Sequence, residues 1–430
     1  MLTLLMDFGA TRIKAAIGDT STEKILVSKN YPSGTPVFSE NRHCEVSLSE
    51  IQNTLSKILN DFFDFDISGI FISSEMHGFI IADKNNTPLT PYISWKDERC
   101  LTSYKGGNYY SVLNEMISDT FRDISGMTSR PCFPLYNVFT FLKENSFNKP
   151  VKILTLADFL ASCFEGCSNK THISMAAGLG FFNIKKKEYE QKFIDLCGKN
   201  ISFNSVSDVV VPVAFYKKNN QKIPVYTGIG DHQCAVFGAG NDETSISFNL
   251  GTGSQISVVS HSVETKTDLR PFLCEKYLHT ITHIPSGRAL AVYADFLGGK
   301  DCWNEIDCLT LKELKNSSLI FDLALFESAE NFNGYRGISN IQEKNLTHQN
   351  AMASLIRSYA DQYVTLLQKF TLGSQLKTVI LSGGISRRIP VLKEYFKQKL
   401  SYDVVVVDIT EETFFGLLKL ATAVEKGVTI

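Results

Sequence analysis

Neither charge is in excess in this chain: 43 Lys and Arg stand against 45 Asp and Glu, a formal net charge of -2 at pH 7. That leaves no basic field to hold a nucleic-acid backbone or an anionic membrane by counterion release, so neither is expected as a partner. No run of about 18 apolar residues occurs, and no membrane span is expected. The first six residues meet Asp7 at once, without the basic leader or apolar length of a signal peptide. Ten cysteines are scattered, none in a Cys-x-x-Cys pair or beside His at zinc spacing. Buried thiols in the reducing cytoplasm are expected. No low-complexity linker divides the chain. With 430 residues, 43% of them hydrophobic and 20% charged, the composition is that of a globular protein with two large domains.

One element occurs twice. Leu2–Met6 is apolar, Asp7-Phe8-Gly9-Ala10-Thr11 has turn chemistry, and Ile13–Ile17 is apolar again, which predicts a hairpin with a polar tip. The same design returns at Ser245–Phe248, Asn249-Leu250-Gly251-Thr252-Gly253 and Gln255–Val259, with period-two alternation on both sides. Helices are expected over 48–63, around 138–144, over 155–164, 232–238, 349–371, 391–400 and 414–425. Strands are expected at 69–73, 225–228, 378–382 and 404–407, with a Gly383-Gly384 turn. Their alternation argues for an α/β architecture, and the division falls near Asn241, where the second hairpin begins.

A tip rich in Gly and Thr lets backbone N–H groups and hydroxyls approach a phosphate, and two such tips are what a nucleotide between duplicated domains requires. Two ordinary β-turns are the alternative. Asp7, just ahead of the first tip, is the candidate Mg²⁺ ligand; Lys14 either faces the phosphates or is an exposed strand lysine. Gly228-Ile229-Gly230-Asp231 puts a carboxylate at a strand-to-helix turn, where catalytic groups gather in α/β folds. Asp231 is therefore the candidate general base, a plain helix N-cap being the alternative. The same glycines begin like a dinucleotide fingerprint, but Gln233 stands where its third glycine belongs. Ser382-Gly383-Gly384 suits backbone lying against an adenine and ribose.

These pieces, in this order, resemble the FGGY family of carbohydrate kinases over nearly the whole chain. Asp7 through Lys14 is similar to its first phosphate motif, Asn249–Gly253 to its second, and Gly383 through Arg388 to its adenosine motif. Gly230-Asp231 falls where that family keeps its catalytic aspartate. Glu75-Met76-His77-Gly78 resembles the Gln-Met-His-Gly segment of ketose kinases, and Trp95-Lys96-Asp97-Glu98-Arg99 a Trp-x-Asp-x-Arg segment that lines their sugar pocket. Thr171 through Ala176 also follows a family segment, usually Thr-Asp-x-Ser-Asn-Ala. Outside this context His77 would read as a structural histidine and Trp95 as a core aromatic.

The resemblance implies a two-domain, actin-like fold of the ribonuclease H type with an interdomain cleft. Residues 1–240 would carry the sugar site, the first hairpin and the catalytic aspartate, and residues 241–430 the second hairpin and the adenosine motif. It implies ATP and Mg²⁺, with Asp231 and Asp7 catalytic and Asp7 on the metal. Glu75, Met76, His77, Trp95, Asp97, Arg99 and Asp231 would meet the sugar. Gly9, Thr11, Arg12, Lys14, Gly251, Thr252, Gly253, Gly383, Gly384 and Arg388 would meet the nucleotide. Arg99-Cys100, Gly230 through Val236 and Gly253-Ser254-Gln255 look more like sedoheptulokinases than xylulokinases, so a seven-carbon ketose is expected. A homodimer is left open. The chain departs from the family pattern at Ala10, Arg12 and Glu75 and at Glu411 through Gly416. A filament or chaperone of the same superfold would need the two hairpins and the metal carboxylate but no sugar pocket, and a regulator without catalysis would not need both Asp7 and Asp231.

Overall fold

The computed structural model describes every residue except 39–41, 146–148, 199, 327–328, 331–336 and 372. Leu2–Phe8 (β1) and Arg12–Asp19 (β2) pair antiparallel, with Asp7 directly opposite Lys14, and Lys24–Pro32 (β3) continues outward. Ile67–Ser74 (β4) runs parallel to β1, with Asp7 beside Ser73. Pro212–Lys218 (β5), Gln221–Tyr226 (β6) and the short Ile229–Gly230 (β7) complete a sheet in the order β5-β6-β4-β1-β2-β3, with β7 also on β4. A second sheet is built from Ser245–Asn249 (β8), Ser254–Ser260 (β9), Asp268–Pro271 (β10), Tyr277–Ile284 (β11), Thr378–Ser382 (β12) and Asp403–Val406 (β13). Its order is β10-β11-β9-β8-β12-β13.

The two sheets repeat one plan. β3-β2-β1-β4-β6 corresponds to β11-β9-β8-β12-β13, with two antiparallel pairings followed by two parallel ones in each. Both hairpin tips therefore leave their sheets at equivalent places, as the repeated sequence design requires.

Helices cover the sheets. In Leu48–Asp61 (α1), Ile51, Leu55 and Ile58 recur at helical spacing and are buried. Tyr109–Ser125 (α2) and Pro134–Glu144 (α3) follow; α2 buries Leu113, Ile117 and Phe121 but was not expected, because polar residues fill the rest of its pattern. Leu156–Ser162 (α4) starts on a capping box in which Thr155 and Asp158 satisfy each other's backbone. Ile173–Ala177 (α5), Asp231–Gly238 (α6), Gly287–Leu297 (α7), His348–Leu367 (α8), Val391–Lys399 (α9) and Glu412–Glu425 (α10) complete the set used below; α7 was likewise not expected. The Gly383-Gly384 turn runs into a short helix, Gly384–Arg388. Among the described residues no helix is long and apolar enough to cross a membrane. The thiol expectation needs correction: all ten cysteines are free, but Cys163, Cys274 and Cys308 are exposed.

α10 lies in the second half of the sequence yet packs across α6, β1 and β4 of the first. One buried cluster joins Leu5, Phe71, Ile229 and Val236 with Val259, Phe272 and Leu278 and with Phe414, Leu417 and Leu418 of α10. The crossing of α6 and α10 depends on Gly238 and Gly416. A Cβ on Gly238 would run into the Glu412 carbonyl oxygen, and one on Gly416 into the Cys234 carbonyl oxygen. Backbone against backbone leaves no flexible atom to yield. Gly416→Ala should therefore destabilise the protein by about 1–3 kcal/mol or more, read as a lower urea midpoint at unchanged slope.

Candidate active site

A cleft of about 1300 Å³, open to solvent, is lined by Asp7, Gly9 and Ala10 of the first hairpin, Glu75, Met76, His77 and Trp95, Asp231 and His232, and Gly253, Ser254 and Gln255 of the second hairpin. Arg130, Cys132, Phe133, Arg270, Thr282, His283 and Thr413 close it. Of the expected residues, Asp7, Gly9, Glu75, Met76, His77, Trp95, Asp231 and Gly253 are thus on one surface, although they come from segments far apart in the chain.

Asp231 is the first residue of α6, with Gly230 as its N-cap, so it is not the cap itself. Its Oδ1 accepts from the His232 amide at 2.8 Å. Gly230 is fixed in turn, because its amide donates to the Ser174 hydroxyl at 3.1 Å. That hydroxyl lies 2.8 Å from His172 Nδ1, which also accepts from the Ser174 amide and caps α5. A neutral His172 does here what a capping Asp does elsewhere.

His77 has φ 64, a left-handed backbone that a β-carbon resists. Its Nδ1 lies 2.8 Å from the Gly178 carbonyl oxygen, which can only accept, so Nδ1 carries the proton and Nε2 is an acceptor. Burial, then Arg270, lowers its pKa to about 3, so the ring stays neutral. Burial lowers His232 well below the usual histidine value too. Its Nδ1 is 3.4 Å from the Arg270 guanidinium, which only donates, and its Nε2 is 3.1 Å from the Ser257 hydroxyl. The chain runs on through Thr280 to the Ile256 carbonyl, at 3.0 Å for each step. It ties α6 to the second sheet beneath the cleft.

Three carboxyls line the same cleft. Asp7 is buried and rises from 3.8 to about 7, first through burial and then through Asp231. Glu75 rises from 4.5 to about 7 for the same leading cause. Asp231 is also raised, chiefly by burial. Asp7 Oδ1 and Glu75 Oε2 are buried without a hydrogen-bond partner. Among the described residues no three His, Cys, Asp or Glu side chains gather to hold a metal by themselves. One carboxylate with an unpartnered oxygen beside glycine-rich turns is nevertheless a donor set that suits Mg²⁺ arriving with a nucleotide, since that ion keeps waters and takes phosphate oxygens. The residues present fit it.

The remaining expected residues divide. Gly383 has φ 89 and lies against the second tip, where a Cβ would stand 2.5 Å from the Leu250 carbonyl oxygen. The Gly287 and Arg288 amides donate to the Gly251 and Thr252 carbonyls at 3.0 and 3.2 Å. Gly251, Thr252, Gly383 and Gly384 therefore form one surface beside the cleft. Thr11 and Arg12 are exposed at the first tip. Lys14 is held 2.5 Å from Glu411, and the Glu412 carboxylate accepts from the Gly383 amide at 3.1 Å. Arg388 turns to Asp307 at 2.9 Å and lies over Trp303.

Asp97 and Arg99 are a correction. Neither lines the cleft. Asp97 is fully buried, and the Arg99 fork closes on both of its oxygens at 2.8 Å while also reaching Glu45. Asp97 Oδ2 also accepts from the Cys44 amide at 2.6 Å, so the pair braces the loop that carries Trp95. Arg270, Arg130 and His283 were missed. Each is a lone residue in its strand or loop, and the only local signal was a charged pair, Asp268 and Arg270, alternating within a buried strand.

The profile of the FGGY family of carbohydrate kinases, N-terminal domain, matches residues 2–246. A gluconokinase of Bacillus subtilis is 25% identical over 253 residues, 55% of this chain and 47% of that one. A xylulose kinase of Lactococcus lactis is 25% identical over 272 residues, 59% and 52%. The matched region thus spans about half the length of these relatives. The crystal structure of a ligand-bound xylulose kinase from Lactobacillus acidophilus superposes with a TM-score of 0.81 at 16% identity, covering 99% of this chain and 89% of that one. The chain accordingly has the two-domain, actin-like fold.

The raised carboxyls make stability depend on pH. Asp7 binds its proton more tightly folded than unfolded, so its ionisation costs nothing below about pH 4, costs progressively more up to about pH 7, and a constant amount above. Glu75 acts in the same window. In the absence of ligands Asp7→Asn should therefore be more stable than wild type at pH 8 and close to it at pH 4, measured by urea unfolding at both. Equal stability at pH 8 would contradict the assigned environment.

Proposed function

Because the chain belongs to the FGGY family of carbohydrate kinases, we propose that it transfers the γ-phosphoryl group of ATP to a hydroxyl of a small sugar bound in the cleft. The observation that carries this reading is the meeting of both glycine tips, Asp7, Asp231, His77 and Trp95 on one surface. In the proposed step the sugar hydroxyl gives its proton to Asp231 as its oxygen bonds to the γ-phosphorus. The bond from that phosphorus to the bridging oxygen breaks, and ADP leaves. The transition state is loose, so holding the hydroxyl in line matters more than basicity. Gly230, held by Ser174, fixes where Asp231 stands. His77 offers Nε2 to a sugar hydroxyl, and Trp95 offers a flat apolar face. Mg²⁺, when bound, would be held at Asp7 and would neutralise phosphate charge.

The gluconokinase and xylulose kinase among its relatives favour a five- or six-carbon ketose or sugar acid over the seven-carbon ketose suggested by local motifs. Residues 1–240 and 241–430 are proposed as the two domains, with α10 returning to the first. Ten free thiols suit the cytoplasm as its compartment. A filament or chaperone would have no use for His77 and Trp95 beside Asp231.

Two substitutions separate the roles. Asp231→Asn keeps the shape and loses the acceptor charge, so kcat should fall by about 10²–10⁴-fold with ATP binding nearly intact. Asp7→Asn should weaken Mg²⁺-dependent ATP binding together with turnover. Coupled ADP release and nucleotide titration measure both; near-normal sugar-dependent turnover in Asp231→Asn would remove it from the mechanism.

A further inference from the structure

Arg270 sits in the cleft wall with only 7% of its surface exposed. Among the described residues its one hydrogen-bonding contact is the neutral His232 Nδ1 at 3.4 Å, and its Nε has no partner. Among the described residues no carboxylate lies within ion-pair distance of it. Arg130 beside it is different: it pairs with Asp268 at 3.3 Å and donates to Thr282 at 3.1 Å. Asp268 is also committed to the amide and hydroxyl of Thr128, both at 2.8 Å. Asp268, and more weakly Asp231, ease the Arg270 charge from beyond ion-pair distance, but burial outweighs them and Arg130 opposes them. A buried cation without a direct ion pair is costly, and a fold keeps one where a ligand supplies the paired charge.

We propose that the corner formed by Arg270, Arg130, His77 and His283 is an anion subsite, and that the sugar phosphorylated here carries an anionic oxygen group, as in a sugar acid or a sugar monophosphate. The inference rests on the kinase reading. The cleft is polarised: Asp7, Glu75 and Asp231 stand where the hydroxyl reacts, and two guanidinium groups stand in the other corner. A substrate with a hydroxyl at one end and an acid at the other matches both. The planar fork of Arg270 can take two oxygens of a carboxylate or phosphate side by side. His77 and His283, both neutral, add polarity without competing charge.

The test is a coupled ADP-release assay of the full chain with ATP and Mg²⁺ over D-gluconate, a sugar monophosphate with free hydroxyls, and neutral ketoses and polyols of equal length. Thermal shift of the unmodified protein with each compound runs in parallel. An anionic substrate should exceed its neutral counterpart in kcat/KM by about 10–100-fold, the worth of a hydrogen bond to a charged group. The carboxylate and phosphate arms separate the two sources. Arg270→Met should erase that advantage mainly through KM of the acid, with Arg270→Lys restoring part of it. Neutral sugars turned over as well as acids would overturn the subsite and leave the kinase reading standing. No sugar-dependent ADP release at all, with the acids still stabilising the protein, would overturn the kinase reading and support the subsite. An equal fall in kcat for every substrate in Arg270→Met would assign Arg270 to the transferred phosphoryl group and overturn the proposal. Should that variant not fold, thermal shift of the wild-type protein decides, and equal shifts with acid and neutral compounds would overturn it.

Discussion

The close crossing of α6 and α10 is the constraint on which the site depends. Two glycines bring the backbones together at Gly238 and Gly416, and the N-terminal ends of both helices then face the same cleft. From α6 this delivers Asp231; from the turn before and into α10 it delivers Glu411, Glu412 and Thr413. Glu411 reaches Lys14 of the first hairpin and Glu412 the amide of Gly383 in the second half. A segment that departs from the family pattern thus makes contacts to the first hairpin and to the Gly383-Gly384 turn. The last helix acts as a clasp between the two repeats, and its apolar face supplies the cluster they share.

Electrostatics divide the cleft. Burial raises Asp7, Glu75 and Asp231, and the Asp231 charge adds to the shift of the other two. A fold selected only for stability would have neutral groups there, so the cost marks a surface shaped for ligand charge. Glu75 sharpens this, since glutamine would fill the same space without the ionisation. The histidines show the complementary effect: buried close to Arg270, His77 and His232 are held neutral and serve as oriented hydrogen-bonding groups.

What could be read from the sequence was local. The hairpins, Asp7 and the Gly230-Asp231 turn announce themselves through strand alternation and turn residues within a dozen positions, and the two sheets follow the repeated plan. Helices α2 and α7 escaped because their apolar positions are interrupted by polar and small residues. Asp97 and Arg99 misled because a motif states which residues recur together and not which way they face; here the guanidinium folds back on its neighbour two positions away. Arg270 and Arg130 carry no local signature. They meet only when β10 lies beside β11 and the loop before α3 reaches across, which is tertiary information.

The unsatisfied polar atoms bear on what kind of protein uses this fold. Leaving a buried donor or acceptor unpaired costs about 1–3 kcal/mol, more for a charged group. Among the described residues such atoms include Asp7 Oδ1, Glu75 Oε2 and Arg270 Nε, all on residues of the cleft wall, and Ser73 and Gln233, next in space or sequence to Asp7 and His232. A nucleotide site alone would account for Asp7. It would not account for Arg270, which lines the cleft with His77, Arg130 and His283. Its unused hydrogen-bonding capacity suits a second, polar ligand beside the proposed nucleotide.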